Sequence, residues 1–163
     1  MLFRSIDRFF DASEAYLRAR AADPTLKVDA RFASLADVVA GKEPVLIEAN
    51  WPGQIEAGVL WAVRRGYRPV IVGGHGALEV APLLKKHGVP VIVRGLHRLP
   101  LREGDAPNAP YELPARLAAE GIEFAIASGD SAAHERSLVP QAGRAVAHGL
   151  DHERALEAVT RVP

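Results

Sequence analysis

The sequence contains no cysteine, which excludes a disulfide framework, a thiolate metal site and a cysteine nucleophile, and leaves the redox compartment open. It has no net charge, because 20 Lys and Arg are matched by 20 Asp and Glu. Nothing therefore draws the chain to a polyanion, and neither nucleic acid nor a membrane surface is an expected partner. It also lacks any apolar run near the ~18 residues that a spanning helix needs. The opening stretch MLFRSIDRFFDASEAYLRAR carries too many charges for the apolar centre of a secretory leader. As written, the sequence reads as a soluble, cytoplasmic chain. What is present, 48% hydrophobic and 25% charged residues in 163, is the balance of one ordinary globular domain.

The chain falls into two stretches. In residues 1–41, Ile6, Phe9, Phe10, Tyr16 and Leu17 recur near helical spacing and predict an amphipathic helix from Ser5 to about Ala22. ADPTLKVDA interrupts it, and Ser34 with Asp37 marks the capped start of a short helix that ends at Gly41. Residues 42–163 then alternate strand with helix. The strands are PVLIEA (44–49), RPVIVGG (68–74), VPVIVRG (89–95) and EFAIASG (123–129). Helices from Gln54 to Arg65, Ala77 to His87 and Glu112 to Glu120 each run into a glycine, then into the next strand. A helix from Leu138 to His148 and one from Asp151 to Val159 follow. Near-continuous Val/Ile strands separated by such helices predict an α/β fold with a parallel sheet. Either a small doubly wound sheet or half of a (β/α)8 barrel satisfies this pattern, and in both the ligand sits at the carboxyl ends of the strands.

The residues at those ends carry the candidate chemistry. In PVLIEANWPG a buried strand runs into the carboxylate Glu48 and breaks at Pro52 and Gly53. Glu48, His75, His97 and Asp130 lie at four successive strand ends, a set that can form a mixed oxygen and nitrogen metal site, with zinc or another divalent cation as cofactor. The alternatives are an ion pair of Glu48 with Arg94 or Arg68, His75 as a capping or solvated residue, and Asp130 with Ser131 as a turn and helix cap. VIVGGHGALEV has the glycines of a phosphate cradle but not GxGxxG, because Leu78 holds the third position. A nucleotide reading through Arg94 is the weaker alternative. The long Gly95 to Pro114 connection, with His97, Arg98, Arg102 and Tyr111, is placed to cover a pocket.

The order GKEPVLIEANWPGQIEAGVLWAVRRGYRPVIVGGHGALEVAPLLKKHGVPVIV, then APYELPARLAAEGIEFAIASGD, then GLDHERALEAVT resembles the second half of the imidazolonepropionase-like amidohydrolases, from about Phe9 onward. The resemblance implies a partial (β/α)8 barrel whose four strands are numbers five to eight, in a metal-dependent hydrolase of carbon-nitrogen bonds, non-peptide and cyclic. It implies metal ligands at Glu48, which stands where the family has the histidine of IHA, and at His75 and Asp130. Asp130 also takes the role of the catalytic Asp that orients or deprotonates the metal-bound water. Asn50, His97 and Arg98 are the substrate-binding candidates. The strand-six histidine falls at Gly73, and ASGD replaces the family's ATD, so the sequence looks like a branch with lost ligands. The expectation is a hydrolase-like domain that is inactive or incomplete alone. The alternatives are a non-catalytic domain that binds a small ligand or a partner, and a flavodoxin-like nucleotide binder. The two unpaired edges of a half-barrel predict a homo-oligomer or association with a missing half.

Overall fold

The computed structural model describes residues 2–100, 102–129 and 132–162. The chain divides into two compact units, residues 1–44 and 45–163.

The first unit is helical: α1 (Leu2–Ala22), α2 (Ala30–Ala33) and α3 (Ala36–Val39). Phe32 of α2 lies against Phe9 and Tyr16 of α1, with ring centroids 5.7 Å apart in both pairs. The Tyr16 hydroxyl accepts the Asp29 N–H at 2.9 Å, which fixes the returning chain on α1. The short helix expected from Ser34 is present as α3, and a further turn not expected from the sequence, α2, precedes it. Asp29 caps α2 by accepting from the Arg31 N–H, while Ser34 closes that turn and does not open the next. The α3 turn has Leu35 at its N-cap and no side-chain cap.

The second unit alternates β1 (Val45–Ala49), α4 (Pro52–Arg64), β2 (Pro69–Gly73), α5 (Ala81–His87), β3 (Val91–Arg94), α6 (Ala109–Ala119), β4 (Phe124–Ala127), α7 (Leu138–Ala147) and α8 (His152–Thr160). The expected helix from Ala77 is split into a 3-10 turn, Ala77–Val80, and then α5. Pro82 has no N–H to give to Leu78, so the α-helical ladder starts only after the turn. Conversely α6 starts at Ala109 and not at Glu112, since a proline such as Pro110 in a first turn gives up only an N–H that is orphaned anyway. At the end of α5, Gly88 takes the left-handed φ of 59° that turns the chain into β3.

All strand pairs are parallel and the order is β1-β2-β3-β4. A doubly wound sheet reverses its strand order at a switch point. Here the order is consecutive, so the sheet is singly wound, as in a barrel wall. Right-handed crossovers then put the helices of this unit on one face. Ile71, Val91, Val93, Phe124 and Ile126 point to that face and form one core with Ile55 and Val59 of α4, Leu84 of α5 and Leu113 and Leu117 of α6. The alternate residues, Leu46, Glu48, Val70, Val72, Ile92, Arg94, Ala125 and Ala127, share the opposite face by register.

Candidate functional site

The carboxyl ends of the four strands and the loops that follow them form one rim. Glu48, the next-to-last residue of β1, projects from the non-helical face with its side chain 65% exposed. Arg94, the last residue of β3, lies on the same face and donates through Nη2 to Glu48 Oε1 at 2.5 Å. The strand-tip acid is thus engaged by a guanidinium reaching across β2.

The next strand end is built around a missing side chain. Gly73 has φ 99°, a conformation that L-residues rarely adopt, and the place a Cβ would take is 2.3 Å from Asn50 Oδ1. That oxygen is buried and makes no hydrogen bond. The neighbouring glycines also serve close approach: Gly74 N–H donates to Ala49 O at 2.9 Å and Gly76 N–H to Asn50 O at 2.8 Å. These amides hold the β1 loop and are not free for a phosphate, so the nucleotide alternative loses its donors.

His75, two residues beyond β2, is half-buried. Arg98 Nη1 lies 2.6 Å from its Nε2. Burial and, after it, the positive charge of Arg98 push the imidazole down to about 4, a backbone hydrogen bond at Arg94 opposing them in part. The ring is therefore neutral at pH 7 and presents a lone pair to the guanidinium. Asp130 lies outside the described residues.

Arg98 and His97 are exposed on the connection after β3. With Gly95, Ser128, Gly129 and Ser137 they line a cleft of about 720 Å³ over the ends of β3 and β4. Its floor is fixed by Gln141 of α7, only 2% exposed. Gln141 Oε1 accepts the Leu96 N–H at 2.9 Å, and its Nε2 donates to Ser128 O at 2.8 Å and to Ser137 Oγ at 3.2 Å. One amide thereby ties the loops after β3 and β4 together. His97 also stands edge-on to Tyr111, 6.1 Å between centroids. The outer part of the connection is tethered by Arg102, which pairs with Glu79 at 2.9 Å and lies over the Trp51 ring at 5.9 Å. Among the described residues no carboxylate pairs with Arg98, so this guanidinium is the cation the cleft offers to a ligand.

In three dimensions the chain is similar to the crystal structure of an amidohydrolase from Thermotoga maritima, with a TM-score of 0.81 over 96% of this chain at 20% sequence identity. The fold is amidohydrolase-like. The chain spans 42% of that amidohydrolase. No family model matches the chain, and no curated protein matches it in sequence.

Two of the three expected metal ligands, Glu48 and His75, lie at the rim just described, each beside an arginine. Glu48 pairs with Arg94 at 2.5 Å and His75 contacts Arg98 at 2.6 Å. Gly73 has no ligating side chain, and among the described residues no three His, Asp or Glu side chains stand together as a metal-holding group. The structure thus brings His97 and Arg98 to one cleft, places His75 against Arg98, and sets the Asn50 amide against Gly73. Sequence reasoning missed Gln141, whose place in LVPQAGRAVA gives no sign of burial.

Proposed function

We propose that this chain is a non-catalytic half-barrel, the C-terminal strands five to eight of an amidohydrolase-like barrel of the imidazolonepropionase-like branch. It binds a small anionic molecule in the cleft at Arg98, and alone it does not carry out metal-activated hydrolysis of a cyclic carbon-nitrogen bond. The observation that carries the reading is the engagement of two of the three candidate metal donors by arginines, Glu48 by Arg94 at 2.5 Å and His75 by Arg98 at 2.6 Å. Two like unit charges about 5 Å apart repel by about 3 kcal/mol at an effective dielectric near 20, and a divalent ion doubles that. A ligand carboxylate or phosphate meets the reverse situation, a guanidinium whose Nε and Nη2 are not taken up by His75, in a cleft large enough for a small molecule.

Thermal unfolding with inorganic phosphate and a panel of small carboxylic acids tests the binding half of this reading. Millimolar anion should raise the Tm of the native chain and leave the Arg98→Ala variant unmoved. No shift with any anion removes the binding assignment. Turnover of a cyclic amide in the presence of zinc, reduced by orders of magnitude in Asp130→Asn, would instead make the chain a hydrolase and Asp130 its catalytic residue.

A further inference from the structure

The second sheet face and the two sheet edges pose a separate question. All-parallel sheets are stable only with both faces covered, yet the helices of this unit lie on one face. The other presents Leu46, Val70, Val72 and Ile92, with Leu46 62% exposed. Among the described residues, β1 pairs only with β2, and β4 only with β3, so each outer strand leaves one row of backbone N–H and C=O groups without a ladder partner.

We propose that a second copy of this chain covers this face, the two sheets closing an eight-stranded parallel barrel about a two-fold axis along its centre. Three observations favour a second copy. A rotation about that axis keeps all strands parallel and brings β4 of one copy beside β1 of the other at both seams at once, so two copies satisfy all four edges and leave none for a third. Twice four strands is eight, the number at which the interior of a parallel barrel is just filled by side chains. The seam is also complementary in size: β4 offers Ala127 on this face, Ala125 being already buried, and β1 offers the exposed Leu46. A large side chain of one copy thus meets a small one of the other. With no net charge, two copies have no long-range repulsion to overcome. Closure puts both Arg98 clefts at the same end of one barrel.

Light scattering on the purified full chain at tens of micromolar decides it. The expected mass is twice the 17.5 kDa of one chain. Leu46→Arg should be a monomer with a cooperative melt, whereas Leu156→Arg, at a 57% exposed position on the outer helix α8, should stay dimeric. Because Leu46→Arg can fail to fold, Leu46→Cys gives a second reading in a chain with no other thiol. Its alkylation should slow by about tenfold or more as protein concentration rises through the dimer range. A wild-type monomer with a concentration-independent alkylation rate overturns the proposal. So does a dimer that survives Leu46→Arg, or an open-ended series of larger species. Each of these outcomes leaves anion binding at Arg98 to be judged by its own assay.

Discussion

At the scale of single residues, two positions define the rim. Gly73 holds a left-handed backbone with the Asn50 side chain filling its Cβ position. Gly73→Ala should therefore lower stability by about 1 to 3 kcal/mol in chemical denaturation, with part of the loss recovered in a double variant with Asn50→Ala. The same geometry means that Gly73→His should destabilise the chain without creating a metal site. His75 gives a pH dependence with a definite sign. Its folded value, about 4, lies below the ordinary 6.5, so between these pH values the unfolded chain binds the proton more readily. This contribution to stability is complete above about pH 6.5 and is lost as pH falls towards 4. After allowance for the partial exposure of the ring it amounts to about 1 to 2 kcal/mol. His75→Gln should flatten that part of the stability curve measured by urea titration, whereas an unchanged slope would place the ring in solvent, away from Arg98. The pairing of Glu48 with Arg94 was legible in the sequence as one of two alternatives, because both residues end strands of a parallel sheet. The Arg98 contact to His75 was not, since it joins residues 23 apart through a connection without periodicity.

At the scale of elements, the strand and helix alternation was readable because each buried Val/Ile run is separated from the next by an amphipathic stretch and a glycine. Two boundaries of the second unit shifted at prolines, where the missing N–H of Pro82 delays α5 and that of Pro110 is harmless in the first turn of α6. What the sequence did not disclose is how the loops after β3 and β4 are held. Gln141 does this with three hydrogen bonds. Gln141→Leu leaves the Leu96 N–H and the Ser128 carbonyl without their partner and should cost about 2 to 4 kcal/mol, read from the urea midpoint. It should also weaken any anion response at Arg98, because the loop carrying that residue is anchored at Leu96. A variant with normal stability would mean that the amide is replaceable by water.

At the scale of the whole molecule, sequence periodicity left a doubly wound sheet and a half-barrel equally open, because both use the same local units. Only the consecutive strand order, a long-range property, separates them. The amidohydrolase-like fold, over 42% of the length of the Thermotoga maritima amidohydrolase, is consistent with the proposed barrel wall, in which two of the three expected metal donors, Glu48 and His75, are engaged by arginines. Elemental analysis by mass spectrometry, on the chain dialysed against zinc and then washed, tests it most directly, with Glu48→Ala run in parallel. Zinc well below one per chain is expected in both samples. Near-stoichiometric zinc in the native chain that falls in Glu48→Ala would contradict that expectation and make Glu48 a metal ligand.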